Sequence, residues 1–246
     1  MRRPTSHAFR LAVCIASALA ASLAGSASAQ PLPAYAPDTT ATAYGTSSAI
    51  VIRLDEYGFG LGAGGRARLS SDLSLTVEAA LGSGKDAREQ QFFVGFFGDS
   101  VTPLKRNYAL LLPIHIGLEG RLFRQTVESN FRPFAALAGG PVVALQWPYF
   151  DDMDGDGIRA EQGEELLGFF AGLGDAQPRL GVGGSLAVGA YFGRGTQRAQ
   201  GLRFAFIAHY FPAEVDLLEL DPAVEDPSRA WFITPVVSFH LLRLFD

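Results

Sequence analysis

Residues Tyr57 to Gly82 read YGFGLGAGGRARLSSDLSLTVEAALG. Every second residue from Tyr57 is Phe59, Leu61, Ala63, Gly65, Ala67 and Leu69, and between them lie Gly58, Gly60, Gly62, Gly64, Arg66 and Arg68. The alternation restarts after Ser71-Asp72: Leu73, Leu75, Val77, Ala79 and Leu81 take one face, and Ser74, Thr76, Glu78, Ala80 and Gly82 the other. Side chains in a strand alternate between faces, so the stretch predicts two antiparallel strands joined by a tight turn. Each has about the 9–11 residues that a tilted strand needs to cross a bilayer. Taken alone, the pair fits a half-buried soluble sheet equally well.

The rest of the chain repeats the pattern. Upstream, Ser47–Leu54 sets Ile50, Ile52 and Leu54 on one face. Downstream, Tyr108–Leu122, Phe131–Trp147, Arg179–Phe192, Gly201–Phe211 and Ala230–Phe245 alternate in the same way. The connections after the second, fourth and sixth of these strands are short, and those after the third, fifth and seventh are long. The prediction is therefore all-β: an eight-stranded antiparallel up-and-down transmembrane β-barrel over residues 47–246, with short periplasmic turns and long outer loops. The polar faces carry Gly, Ala and Ser with sparse charge, which suits a small filled lumen better than a water-facing surface. Tyr57, Phe59, Leu61, Leu73, Leu75 and Val77 are then expected to face lipid. Pro133 and Pro141 predict bulges or local irregularity in the fifth strand, and Pro212–Ser228 reads as a loop.

The chain has 246 residues, 48% hydrophobic and 18% charged, with a net charge of −5, which argues against a nucleic-acid binder. Residues 1–29 read as a signal peptide: Arg2, Arg3 and Arg10, then the apolar Leu11–Leu23, then Ala27-Ser28-Ala29. Cleavage there removes Cys14, the only cysteine, and leaves no disulfide or thiolate ligand. Residues 30–46 read as an N-terminal tail rich in Pro, Ala and Thr. The expected location is the cell outer membrane after export, with outer-membrane lipid as the first partner and an extracellular partner reached through the loops.

On strand number, face rule and loop asymmetry, residues 47–246 resemble the small eight-stranded outer-membrane barrels of the OmpA-barrel and OmpX-like group. Phe245 resembles the terminal aromatic of such barrels, although Asp246 follows it. The resemblance implies a fold and no particular activity. Outer-membrane deacylases carry a late His-x-Ser-Asn pattern; here His209-Tyr210-Phe211-Pro212 puts Phe in the place of the nucleophile. Ser238 and His240 share a face, with no matching motif around them. No catalytic residues are assigned.

Two constellations remain. Arg66, Arg68, Glu78, Glu119, Arg121, Arg132 and Arg203 fall on the lumen faces, all but Glu78 toward the periplasmic end. Charges in so narrow a space must pair, so they predict a hydrogen-bonded plug; the alternative is an anion-selective constriction. In the longest loop, Asp152, Asp154 and Asp156 alternate before Gly157, with Glu161 and Glu164 following. Carboxylates at such spacing before a glycine make a candidate weak, millimolar-type Ca²⁺ loop, and no other cofactor is expected. The functional expectation is a surface-structural or adhesive barrel with a filled lumen. A narrow porin-like channel or hydrophobic-molecule transporter is the alternative, and a lipid-modifying enzyme comes third. Phe92–Phe97 and Leu166–Phe170 are conspicuously apolar for loops, which suits either a partner or packing above the barrel.

Overall fold

The computed structural model describes residues 46–94, 99–123, 127, 130–159, 163–193, 198–221, 224 and 226–245, all within one compact unit, Thr39–Asp246. The expected signal peptide 1–29, residues 30–45 of the expected tail, and Glu161 lie outside the described residues. The strands are β1 (Thr46–Asp55), β2 (Gly58–Arg68), β3 (Leu73–Gly84), β4 (Phe92–Val94), β5 (Asp99–Val101), β6 (Asn107–Arg121), β7 (Phe131–Pro148), β8 (Gln177–Phe192), β9 (Arg198–Asp216) and β10 (Ser228–Phe245). Eight of them close a barrel in the order β1-β10-β9-β8-β7-β6-β3-β2, each antiparallel to its neighbours. The small hairpin β4–β5 stands within the loop that joins β3 to β6.

Closure carries a definite stagger. The register line from Asp55 passes through Val236, Ala205, Ala187, Ala136, Glu119 and Ser74 to Arg68. Arg66 faces Ser47, so Arg68 is level with position 45, ten residues from the start of the line. With a rise of roughly 3.3 Å per residue and roughly 4.8 Å between strands, that stagger tilts the strands by about 40°. Strands β1–β3, of 10 to 12 residues, then stand roughly 25–30 Å tall, the height of the apolar band of a membrane barrel.

Alternation turns into two surfaces. Outward residues are bare: Leu137 is 66% exposed, Leu180 70% and Phe206 67%. Inward residues are covered, Val51 and Val142 completely. Apolar residues on the outer face of every barrel strand, on a sheet with no free edge, form the wall of a transmembrane β-barrel. The short turns, the start of β1 at Thr46 and the end of β10 at Phe245 lie at one end, called inner below. The loops 85–106, 149–176 and 217–227 lie at the outer end, with the β1–β2 turn.

Three sequence expectations change. Tyr57 does not face lipid. Asp55 Oδ1 accepts the amides of Tyr57 and Gly58. Gly58 then takes φ +131°, which interrupts the strand alternation and swings Tyr57 over the rim onto Phe232, ring centroids 6.0 Å apart. Phe59, Leu61, Leu73, Leu75 and Val77 are exposed on the outer wall as expected. Pro133 and Pro141 cause no bulge, since β7 keeps unbroken register with β8 through both, but the β6–β7 ladder is interrupted at Gly140–Pro141 opposite Ile114–His115 and resumes in the same register, the local irregularity expected there. The register shift in the barrel lies between Arg229 and Trp231, where β10 meets β9. Lastly, β9 runs on through Pro212 to Asp216. Beyond Tyr210 its pairing with β8 has ended, so the missing proline N–H breaks no ladder on that side.

Candidate functional site

The lumen is filled from two walls. From β7, β8, β9 and β10 come Phe134, Ala136, Ala187, Tyr191, Ala205, Ile207, Val236 and Leu242, packed as one apolar cluster. The charges come chiefly from the opposite wall. Near the inner end Arg66 Nη1 donates to Glu119 Oε1 at 3.0 Å, with both side chains almost fully buried. The Tyr191 hydroxyl donates to the other oxygen of Glu119 at 2.6 Å. The Arg66 guanidinium sits 4.8 Å from the Tyr191 ring centre, and Phe134 stacks on that ring at 4.6 Å. Gly201 makes the seat: a Cβ there would fall 2.7 Å from the Tyr191 ring.

Higher in the lumen, Arg203 Nη1 donates to Glu78 Oε2 at 2.9 Å, and Nη2 reaches Ser185 Oγ at 3.3 Å. Arg203 lies deeper than the sequence placed it, because β9 begins at Arg198 rather than Gly201. Arg53, buried on β1, joins this level through the rungs Arg53–Ser238 and Ser238–Arg203. His115 lies opposite Glu78, and its ring centre is 5.6 Å from that of His209. Both imidazoles occupy the space a side chain at Gly183 would take, since a Cβ there would meet His209 Nδ1 at 2.3 Å. Ser238 Oγ and His240 Nε2 are 3.1 Å apart and buried.

Of the expected network, Arg66, Glu78, Glu119 and Arg203 are brought together in two pairs. Arg132 is buried at the start of β7, and Arg121 is half-buried at the end of β6. Arg68 does not belong to the network: it is exposed, and its Nε donates to the Ser70 carbonyl beside it. It sits at the last position of β2, where the turn begins and the lumen ends. Sequence reasoning did not assign Arg53, His209 or Tyr191 to the lumen network, although the alternation that sets Ile52 and Leu54 outward sets Arg53 inward.

At the outer end a second apolar cluster, with Tyr57, Leu111, Val142, Phe211, Leu217 and Phe232 among its members, fills the barrel. Phe211, at the position of the absent deacylase nucleophile, is fully buried in it.

The loops above are tied down by ion pairs. Arg88 grips Asp86 through Nε at 2.9 Å and Nη2 at 3.1 Å, and Arg229 of β10 adds a third bond at 2.8 Å. Lys105 Nζ pairs with Glu89 at 2.7 Å and lies 5.0 Å from the Tyr108 ring centre. Burial opposes the charged form of Asp86, but the bonds from Arg88 and the charge of Arg229 outweigh it and hold its carboxyl below the usual carboxylate range. The apolar segment Leu166–Phe170 folds back on the outside of the wall. Phe169 packs edge-on against Tyr108 and Trp147, Trp147 Nε1 donates to the Phe169 carbonyl, and Phe170 is left 80% exposed. Of the other apolar run, Phe92–Val94 forms β4, and residues 95–97 lie outside the described ones.

In the acidic loop, one oxygen from each of Asp152, Asp154 and Asp156 lies within 4.8 Å of the others. Asp152 accepts the amides of Gly155 and Gly157, both at positive φ, and Asp156 accepts that of Ile158. Glu164 bonds back to the amide of Met153. Three hard oxygen donors on one point fit Ca²⁺ rather than a softer metal.

No protein-family model matches the chain, and no curated protein matches it. Among solved structures, the chain is similar to Neisserial surface protein A at 10% identity and TM-score 0.41, over 81% of this chain and 94% of that one. It is similar to the N-terminal β-barrel domain of Pseudomonas aeruginosa OprF at 7% identity and TM-score 0.40, over 82% and 98%. The attachment invasion locus protein of Yersinia pestis, crystallised with the heparin analogue sucrose octasulfate, matches at 8% identity and TM-score 0.38, over 82% and 100%. With every score below 0.5, the ground for the fold is the eight-stranded closure of this chain itself.

Two predictions concern these pairs. Glu119→Ala removes the carboxylate that bonds both Arg66 and Tyr191 in the buried lumen and should destabilise the barrel by about 3–5 kcal/mol. In a guanidinium-unfolding cycle, Arg66→Ala with Glu119→Ala should cost clearly less than the sum of the single changes. For Asp86, a depressed folded pKa means that its stabilisation is complete above the unfolded value of 3.8 and is lost as pH falls below it. Proteolysis of the 85–106 loop should therefore accelerate only below that pH in the wild type, and already at neutral pH in Asp86→Asn.

Proposed function

We propose that the protein is a non-enzymatic outer-membrane barrel with a closed lumen, which acts at the cell surface through its long loops in a structural or adhesive role. The observation that carries this reading is the occupied cross-section. Arg66–Glu119–Tyr191 crosses the lumen near its inner end, Glu78–Arg203 crosses it above, and the apolar cluster around Phe211 and Phe232 caps it. An eight-stranded barrel leaves room for little beyond such side chains. The loops are built to present a surface: ion pairs hold 85–106 in place, while Met153 and Phe170 stay exposed on 149–176. Purified protein in planar bilayers should give no steady conductance. A stable open channel would instead support the transport reading.

The convergence of Asp152, Asp154 and Asp156 favours one addition. Ca²⁺ binds this loop with a Kd of roughly 10⁻⁴–10⁻³ M, as extracellular modules do, and orders it. Calorimetry at millimolar Ca²⁺ should show heat that Asp152→Asn with Asp156→Asn abolishes. Absence of heat from the wild type disposes of the site.

A further inference from the structure

At the outer mouth, above the apolar cap, lies a cavity of about 250 Å³. That is room for about eight water molecules, or one monosaccharide-sized ligand. Its walls carry two arginines, Arg106 and Arg179, two carboxylates, Asp152 and Asp216, and the amides of Gln146, Gln177 and Asn107. Gln146, Gln177 and Arg179 lie at the outer ends of neighbouring strands β7 and β8, with Asn107 opening β6 beside them.

The charges here are under-used, unlike those lower in the lumen. Arg179 has one ion-pair contact, a long 3.7 Å approach to Asp216, and its buried Nε has no hydrogen-bond partner. Arg106 uses its backbone amide and carbonyl toward Leu217 and Tyr149, and its guanidinium makes no ion pair among the described residues. A guanidinium offers five donors in a planar fork that matches an oxyanion, so most of this donor capacity is open. The amides are half-committed. Gln146 accepts the Asp216 amide through Oε1, which leaves its NH₂ to donate. Asn107 donates through Nδ2 to the Asp216 carbonyl, which leaves its Oδ1 to accept. Asp152, also in the wall, already accepts two glycine amides.

We infer that this cavity binds a small acidic sugar, with Arg106 and Arg179 taking its carboxylate or other oxyanion and the amides of Gln146, Gln177 and Asn107 taking its hydroxyl groups. Arg106, which makes no ion pair among the described residues, and Arg179, held only by the long contact to Asp216 and with its Nε unbonded, leave donors for an anion. The Gln146 NH₂ and the Asn107 Oδ1, left over from their bonds to Asp216, match the vicinal hydroxyls of a sugar. Because Asn107, Gln146 and Arg179 project from the inner face of the wall, the ligand is a soluble one entering from outside, not a headgroup packed against the apolar belt.

The test is calorimetric titration of the full chain, folded in detergent micelles with EDTA present so that the acidic loop carries no cation. Galacturonate is the probe and galactose the neutral control. Galacturonate should bind at least ten times more tightly than galactose and weaken as salt is raised. Arg106→Gln with Arg179→Gln, checked for folding by its heat-dependent gel mobility, should weaken galacturonate at least tenfold. Arg106→Gln alone, which breaks no ion pair, should weaken it severalfold and serves if the double variant does not fold. No measurable galacturonate binding at 10 mM, equal binding of galactose, or unchanged binding in folded Arg106→Gln would overturn the inference.

Discussion

The sheet has no edge, and the rest of the structure depends on that. Once β1 pairs with β10 as well as with β2, every strand has two neighbours, and each backbone group between strands can be satisfied inside the sheet. Only then can the outer face dispense with water. Leu137, Leu180 and Phe206 stand bare on that face, an arrangement that would drive aggregation in an aqueous sheet and is stable against hydrocarbon.

Closure at eight strands also dictates the inside. The lumen is so narrow that a charge within it finds another side chain rather than bulk water. Glu119 is held by Arg66 and Tyr191 together, and Glu78 by Arg203. Breaking either arrangement strands a charge in a dry space, so these pairs lock the barrel more than they add to its net stability. Glycine does the complementary work: at Gly183 and Gly201 the absence of a side chain is what lets His209 and Tyr191 lie across the lumen.

The fold was legible because period-two alternation survives in every barrel strand and, after the short β1–β2 turn, short and long connections alternate. What escaped was local. Tyr57 follows the outward alternation in sequence, but positive φ at Gly58 turns it inward, which residue spacing cannot reveal. Pro141 suggested a bulge or an irregularity; the ladder to β6 is interrupted there, yet the register on either side is unchanged. Arg68 has the inward parity of Arg66 and still escapes the lumen, because parity says nothing about where a strand ends. Arg53 could have been found by the same parity rule. The Asp86–Arg88–Arg229 cluster could not, since it joins a loop to a strand more than a hundred residues away. The outer-mouth cavity has the same character: its side chains come from distant strands, and no local motif marks them.

The central claim, that this chain is a lipid-embedded closed barrel, is tested most directly by fractionating cells that express it and running the envelope fraction on gels with and without boiling. The account predicts protein in the outer-membrane fraction, with an unboiled form that migrates differently from the boiled one. Protein recovered soluble in the periplasm, with no change in mobility on heating, would contradict it.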